Sequence, residues 1–303
     1  MRRLELLLLL LASALTLSAQ SFGWHWIAGP VADDSTQQLF RKTLVGLQKP
    51  QQATIAIAST GPFMLYVNGR NVSTAAFLGS FDTPTAYSFD VTRFLRADTN
   101  VVAVWQSPVP GSRQAGRIAV NCYGRYADGR RFAMVSDSSW RCHRAESTTR
   151  PHHGEQADGR LHHAEWNQSP FAPYLWAFAR EVSPGLEAPP HERRQVFPEW
   201  RVSRILTPRS EQEGPDGITF DFGESFSGWI RVTLREAKEG EILHIGDFTY
   251  ICRNATDEQA CRRFTTSQQR QVTISGDKHF SREQIQSVEG LEIESGTHHS
   301  YLF

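Results

Sequence analysis

The sequence predicts an all-β protein of two β-sandwich domains in tandem. Apolar residues recur at every second position in short runs, the period of a half-buried strand, and few segments show a helical period. The 303 residues include 22 Gly and 15 Pro, which supply the many turns of such a fold. A proline-rich segment of mixed charge predicts a linker over residues 184–196. The predicted sandwiches occupy residues 20–183 and 197–303, the second either complete or cut short.

The first sandwich begins with two strands and a tight turn. Ile55 and Ile57 alternate with small residues, as in a strand buried inside a sandwich. The next strand places alternate residues on opposite faces, with Phe63, Leu65 and Val67 on one and Met64, Tyr66 and Asn68 on the other. Asn68 and Gly69 supply the two positive-φ positions of a two-residue hairpin turn.

The elements that follow are also read from turn residues. The Asp90 carboxylate is placed to accept free N–H groups of a short helical turn that runs through Leu95. A turn at residues 98–100 leads into a buried run from Val101 to Trp105. Two further strands, 117–127 and 130–136, flank a turn that contains Asp128 and Gly129.

The second domain has one segment that predicts its structure clearly, residues 218–234. Ile218, Phe220 and Phe222 alternate on one face, the pattern breaks at Gly223, and alternation resumes from Trp229. Two strands joined by a bulged, glycine-containing turn explain this pattern.

A short apolar segment at the N-terminus predicts a cleavable signal peptide over residues 1–19. Two arginines precede an apolar core from Leu6 to Leu17, and Ala19 offers a small residue for cleavage. The core is shorter than the ~20 residues of a membrane-spanning helix, and an uncleaved anchor is the alternative. We therefore expect an exported protein, periplasmic or extracellular, that is not held in the membrane after cleavage.

The charge balance argues against a partner that is bound through the net charge of the whole protein. Lys+Arg and Asp+Glu both total 32, so no net field attracts nucleic acid or anionic lipid. No glycine loop of the phosphate-binding or dinucleotide-binding type is present in the sequence. Segment 223–228 places its closing glycine one residue too late for a G-x-S-x-G nucleophile elbow.

The four cysteines suit an oxidising compartment. The local pairs Cys122–Cys142 and Cys252–Cys261 are the simplest of the three possible connectivities, and free thiols are the alternative. No C-x-x-C spacing predicts a zinc ribbon or a redox site.

We expect neither a metal nor a cofactor. The doublets His152–His153 and His162–His163 suggest zinc, but adjacent residues of an extended chain point to opposite sides, so each doublet offers one ligand. Histidines that hydrogen-bond within loops are the preferred interpretation.

Five motifs occur in one order along the chain: LYVNGR, SFDVTRFL, DSSWR, GEQADGR followed by Trp166, and FDFGESFSGW. This order resembles the N-terminal accessory region of bacterial α-L-rhamnosidases, which are glycoside hydrolases. The resemblance implies galactose-binding-like, jelly-roll sandwiches ahead of a helical α/α-barrel that performs hydrolysis. Because the chain stops about where that barrel would begin, we expect a truncated enzyme, inactive alone, whose partner is the missing or a separate helical domain.

The acidic residues of the GEQADGR motif have two interpretations. Inverting glycosidases use two carboxylic acids, and the resemblance places that pair in the helical barrel, so no residue of this chain is predicted to be catalytic. Glu155 and Asp158, with Arg160, either hydrogen-bond a sugar or the rim of the helical domain, or serve the loop itself. In the second case Asp158 and Arg160 form an ion pair that fixes the loop.

Sugar recognition combines an aromatic face with converging polar groups. Three tryptophans lie beside turns and polar loops, which predicts exposed indoles. The candidate carbohydrate-binding residues are therefore Glu155, Asp158, Arg160, Trp140, Trp166 and Trp229.

Three functions follow. The first is an accessory, carbohydrate-binding region of a rhamnosidase-like hydrolase that breaks down plant-type polysaccharides, with a rhamnose-containing glycan as ligand. The alternatives are a free-standing secreted carbohydrate-binding protein and a structural or adhesive β-sandwich. For the first, we expect the missing barrel to leave apolar surface exposed near Phe248–Ile251 and Tyr301–Phe303, so that the chain self-associates or binds a helical domain.

Overall fold

The computed structural model describes residues 24–30, 35–46, 48–73, 86–109, 116–150, 154–182, 193–194 and 196–299. Strands dominate these residues, and the helical turns among them are short 3₁₀ segments. The predicted all-β sandwich fold is confirmed. None of the helices in the described ranges is long and apolar enough to cross a membrane. Residues 1–23, which include the predicted signal peptide, lie outside the described residues.

The first sandwich consists of two facing sheets. One sheet has the order β13-β1-β8-β3-β6-β14, with β9 paired to β8. Its strands are β1 (Trp26–Ala28), β3 (Gln52–Ser59), β6 (Ala86–Asp90), β8 (Arg117–Arg125), β9 (Arg131–Val135), β13 (Arg180–Val182) and β14 (Arg193–Arg194). The facing strands are β2 (Thr36–Val45), β4 (Phe63–Val67), β5 (Arg70–Asn71), β7 (Thr99–Gln106), β10 (Arg141–Arg150), β11 (Gly154–Asp158) and β12 (Ala177–Phe178).

The second sandwich follows from residue 196 onward. Its strands are β15 (Val196–Leu206), β16 (Ser210–Gly214), β17 (Gly217–Leu234), β18 (Ile242–Ile245), β19 (Phe248–Ile251), β20 (Glu258–Cys261), β21 (Ser267–Gly276) and β22 (Ile285–His299). Each sandwich encloses its own apolar core. The predicted linker, 184–196, lies outside the described residues except for 193, 194 and 196. Residues 193 and 194 form the edge strand β14 beside β6 in the first sandwich.

Two predicted turns of the first sandwich are confirmed, whereas the one predicted at residues 98–100 lies earlier, since β7 already begins at Thr99. Asn68 (φ 52°) and Gly69 (φ 81°) both have positive φ, and they connect Val67 to Arg70, which face each other across the β4–β5 hairpin. Asp90 Oδ1 accepts a hydrogen bond from the Thr92 N–H at 2.9 Å, at the start of a 3₁₀ helix over Thr92–Phe94. Apolar alternation and turn chemistry were therefore sufficient to predict this region.

The segment 217–234 corrects one prediction. It forms the single 18-residue strand β17 rather than two strands joined by a turn. The predicted bulge is present, because the pairing of β17 with β21 shifts register between Asp221 and Phe226, and Gly223 has φ 78°. A bulge inserts residues without reversing the chain, so the strand continues past it.

The four cysteines are free thiols, so neither predicted disulfide, Cys122–Cys142 or Cys252–Cys261, is present. Cys252 belongs to the second core, whereas Cys261 packs against a different cluster between the sandwiches. Cys122 and Cys142 lie on facing sheets and pack with apolar neighbours in the first core. Burial raises the pKa of all four thiols, to about 11 for Cys142 and for Cys261.

The two sandwiches share a continuous sheet. Strand β11 pairs with β10 of the first sandwich and, in parallel, with β19 of the second. This pairing corrects the expectation that Phe248–Ile251 is exposed, since Phe248 and Tyr250 are buried in the second core. The other segment of that expectation, Tyr301–Phe303, lies outside the described residues.

Candidate functional site

The carboxylate of Glu155 joins the two sandwiches. Glu155 lies on β11 and is fully buried. Its Oε1 accepts a hydrogen bond from Gln37 Nε2 on β2 at 3.0 Å. Its Oε2 accepts from the backbone N–H groups of Arg263 (3.0 Å) and Phe264 (3.1 Å) and from Thr265 Oγ1 (3.3 Å). One carboxylate thus satisfies donors from both sandwiches.

Two tryptophans extend this network in opposite directions. The Trp105 indole on β7 donates to Gln37 Oε1 at 2.8 Å, and the Trp229 indole on β17 donates to the Thr265 carbonyl at 2.9 Å. The Trp105 and Phe264 rings meet edge to face, 6.0 Å between centroids. We call this connected set the Glu155 junction: Gln37, Trp105, Glu155, Trp229 and residues 263–265.

An apolar cluster overlaps the Glu155 junction and shares Trp105, Trp229 and Phe264 with it. Its buried members come from both sandwiches and from the loop after β11. They are Leu39, Met64, Val101, Ala103, Trp105, Ala145, Trp166, Trp176, Trp229, Phe264 and Leu291. Burial of this size at a contact between domains holds the two sandwiches in one fixed arrangement.

Asp158 and Arg160 form the loop-fixing ion pair that the sequence allowed as an alternative. Arg160 Nε and Nη2 donate to Asp158 Oδ1 and Oδ2 at 2.9 and 2.8 Å, and the Arg160 backbone N–H donates to Oδ1 at 3.1 Å. The hydrogen bond from the Arg160 side chain is the main reason that the pKa of Asp158 is lowered. Both charges are therefore occupied with each other.

The three candidate tryptophans are buried, so the expectation of exposed indoles is wrong. Trp140 is fully buried in the first core, and Trp166 and Trp229 are each 7% exposed in the cluster between the sandwiches. Turns and polar loops flank all three in sequence, but in space the first core encloses Trp140, and the contact between the sandwiches covers Trp166 and Trp229. A flat face for a sugar is not available on any of them in this arrangement.

The loop between β11 and β12 carries a cluster that sequence reasoning missed. His143 on β10 stacks on Trp176 (5.3 Å between centroids, 28° between planes), and Trp176 stacks in turn on Trp166 (6.1 Å, 26°). His163 Nε2 lies 3.1 Å from His143 Nδ1. The sequence signal for this cluster is the His162–His163 doublet, which predicts loop histidines that hydrogen-bond.

Glu146 connects this loop to the second sandwich. Its Oε2 lies 2.5 Å from His162 Nδ1, and its Oε1 lies 4.0 Å from Arg263 Nη2. Burial alone would raise the pKa of Glu146, but the hydrogen bond from His162 and the charge of Arg263 lower it overall. Within the described ranges, no group of three or more His, Cys, Asp or Glu could hold a metal ion. His152 and His153 lie outside those ranges.

Buried and half-buried arginines tether the same loop and leave its tip exposed. The Arg41 guanidinium, 1% exposed, donates to the carbonyls of Phe171 (3.0 Å) and Gln168 (3.1 Å). Arg141 donates to the Trp176 carbonyl at 3.1 Å. Tyr174 (87% exposed) and Leu175 (95%) project from this tip, and Phe178 (56%) is exposed on the following strand β12; we call these three apolar side chains the crest.

Acidification is expected to loosen this loop. Burial, followed by the charge of His143, lowers the pKa of His163 below its ordinary value of about 6.5. The unfolded chain therefore binds a proton more readily than the folded one, and stability falls as the pH drops below about 6.5. We expect the melting temperature to decrease between pH 7.5 and 5.5, and His163→Asn to flatten that decrease.

The control is His244→Asn, an exposed histidine on β18. This variant should keep the pH dependence of the parent chain. Equal pH dependence in His163→Asn and in the parent would contradict the prediction.

Comparison with known proteins identifies the architecture. Residues 48–196 match the family model "Alpha-L-rhamnosidase N-terminal domain". The α-L-rhamnosidase of Dictyoglumus thermophilum superposes with a TM-score of 0.79 at 21% identity, over 91% of this chain and 36% of that chain. The Streptomyces avermitilis α-L-rhamnosidase, solved with L-rhamnose, gives 0.75 at 20% identity, over 88% and 29%. The Aspergillus terreus enzyme gives 0.73 at 17% identity, over 90% and 36%.

These likenesses confirm the predicted resemblance to the N-terminal region of α-L-rhamnosidases. The chain spans about a third of the length of the α-L-rhamnosidase chains that it matches. At such identities the structural likeness establishes the fold alone. A comparison with curated proteins finds none that matches.

Proposed function

We propose, from this kinship with the N-terminal region of α-L-rhamnosidases, that the chain is a non-catalytic accessory region of a glycoside hydrolase. The hydrolase would act in the breakdown of plant-type, rhamnose-containing polysaccharides. The observation that carries the proposal is the Glu155 junction. Glu155 is one of the two acidic candidates of the GEQADGR motif, and its carboxylate is buried and hydrogen-bonded to both sandwiches, which is a structural role. The pattern of residues 1–19 supports export to the periplasm or the exterior as part of the same proposal.

The arrangement suits a rigid platform. A shared sheet, a buried apolar cluster and the Glu155 junction hold the sandwiches together, so the unit presents its surface in one geometry. A platform of this kind positions a catalytic domain or a substrate without performing proton transfer itself.

The crest is the surface of this platform that we propose contacts the catalytic domain. Tyr174 and Leu175 are almost fully exposed, although the backbone beneath them is fixed by Arg41 and Arg141. Apolar side chains held rigidly in solvent are typical of a surface that a partner covers. We propose that this partner is a helical catalytic domain, since about two thirds of the length of each matched rhamnosidase lies outside the superposed part.

The test is an activity assay. We expect the purified chain not to hydrolyse an aryl α-L-rhamnoside, because Glu155 and Asp158 are both engaged in fixed contacts. The rate at which the aryl group is released, measured by absorbance, should equal the rate in the absence of protein. A complete α-L-rhamnosidase is the positive control. Sustained turnover that is lost in Glu155→Gln or in Asp158→Asn would overturn the proposal.

A further inference from the structure

A cationic cleft opens on the first sandwich, away from the Glu155 junction. It has a volume of about 570 Å³ and lies between the β4–β5 hairpin, the turn at 92–96 and the chain around residue 49. Its lining consists of Lys49, Asn68, Arg70, Arg93, Phe94, Leu95 and Arg96. Four of these seven residues carry a positive charge at neutral pH.

The described part of the chain leaves the charge of this cleft without a counter-charge. Among the described residues no carboxylate lines the cleft, and Lys49, Arg70, Arg93 and Arg96 have no ion-pair partner there. Cations gathered in a concave surface focus a positive potential that attracts an anionic ligand.

A second cleft, of about 320 Å³, differs from the cationic cleft in that its cation is paired with a carboxylate. It lies on the second sandwich, and Arg282 in its wall donates to both carboxylate oxygens of Glu211, at 3.2 and 2.7 Å. Its principal cation is therefore already paired, and the cleft lacks the uncompensated charge of the first.

Two buried asparagines make the floor of the cationic cleft rigid. Asn68 Nδ2 donates to the Phe94 carbonyl and to Asn100 Oδ1, each at 2.9 Å, and Asn68 Oδ1 accepts from the Val101 N–H at 2.9 Å. Asn100 Oδ1 also accepts from the Arg96 N–H at 2.7 Å, and Asn100 Nδ2 donates to the Arg96 carbonyl at 3.1 Å. The backbone that carries the cations is thus fixed before any ligand arrives, which lowers the entropic cost of binding.

We propose that this cleft binds the carboxylates of an acidic oligosaccharide, a glycan that carries uronic acid residues. Planar guanidinium groups match carboxylates with paired hydrogen bonds, and three arginines line the cleft. The sugar component of the ligand rests on the proposed function, and the cleft lies within the segment that matches the rhamnosidase N-terminal domain. Phe94, beneath the Arg93 guanidinium at 4.6 Å, adds an apolar surface to the floor.

The experiment is an isothermal calorimetric titration of the full chain with trigalacturonate. The fully methyl-esterified trisaccharide, which has the same sugar rings without the charge, is the matched ligand. The variant Arg93→Ala/Arg96→Ala removes two cations of the cleft, and Arg125→Ala/Arg131→Ala removes two exposed arginines of the same sandwich on β8 and β9. Lys49→Glu tests the cleft from a separate segment.

We expect trigalacturonate to bind, with affinity that falls as salt rises. Affinity should fall about tenfold for Arg93→Ala/Arg96→Ala, because two guanidinium groups that pair with the ligand carboxylates are lost. Lys49→Glu should weaken binding as well, and Arg125→Ala/Arg131→Ala should leave it unchanged. The methyl ester should bind at least about tenfold more weakly than the acid.

Several outcomes would overturn the proposal. These are absence of trigalacturonate binding, equal affinity in the cleft variant and the parent, and equal affinity for the acid and its ester. Tighter binding of a sulfated oligosaccharide or of duplex DNA would reassign the cleft to another anion. Rhamnoside hydrolysis by the chain would refute the accessory role and leave this binding result standing, so the two failures are distinguishable.

Discussion

Replacing Glu155 with glutamine is expected to lower the free energy of unfolding by about 3 kcal/mol and to loosen the contact between the two sandwiches. The amide nitrogen of glutamine cannot accept a hydrogen bond, so at least one buried donor on Gln37 or on the 263–265 segment loses its partner. Removing one member of a buried, charge-assisted network costs about 3–5 kcal/mol when the remaining groups stay unpaired. Urea unfolding followed by circular dichroism measures the loss.

Hydrogen exchange gives a local measurement of the same change. The backbone N–H groups of Arg263 and Phe264 donate directly to Glu155, so their exchange should accelerate in Glu155→Gln. The control is Glu239→Gln, an exposed residue between β17 and β18, which should alter neither the stability nor this exchange. Unchanged protection at 263 and 264 in Glu155→Gln would refute the role of Glu155 as a junction.

The sequence was sufficient where structure depends on near neighbours. Asn68 and Gly69 form the expected turn because their backbone preferences are local, and Asp158 and Arg160 pair across two positions of one loop. Periodicity likewise placed the core-facing residues of β4. In each case the determining contacts lie within a few residues, so composition and spacing carry the information.

The burial of the candidate site residues could not be predicted from their neighbours in sequence. Glu155 is buried by segment 263–265, more than 100 positions later in the chain. Trp166 and Trp229 sit beside polar residues in sequence, and only the docking of the two sandwiches places them together. A polar flank therefore does not predict exposure, because contact between the two sandwiches buries both indoles.

The cysteines show a related failure. Two cysteines that flank a hairpin or a loop are close in sequence, but strand alternation and the layering of sheets decide which core each thiol enters. Cys252 and Cys261 enter different clusters, so nearness along the chain does not bring their sulfur atoms together.

Replacing Trp229 with alanine is expected to produce the largest effect in the cluster between the sandwiches, a loss of about 4 kcal/mol. Trp229 is 7% exposed there, and its indole donates to the Thr265 carbonyl at 2.9 Å. Truncating a buried tryptophan costs about 3–5 kcal/mol through lost apolar contact and the cavity left behind. Because that contact joins two separate cores, we expect unfolding to split into two transitions, one for each sandwich.

Three further variants isolate the cause. Trp229→Phe keeps most of the apolar contact and loses the hydrogen bond, so it should cost about 1 kcal/mol and keep a single transition. Trp140→Ala removes an indole of the same size from the first core and should destabilise the chain without accelerating exchange at residues 263–265. Tyr174→Ala, on the exposed crest, should leave unfolding unchanged. A single cooperative transition in Trp229→Ala, with residues 263–265 still protected, would show that the cluster does not couple the sandwiches.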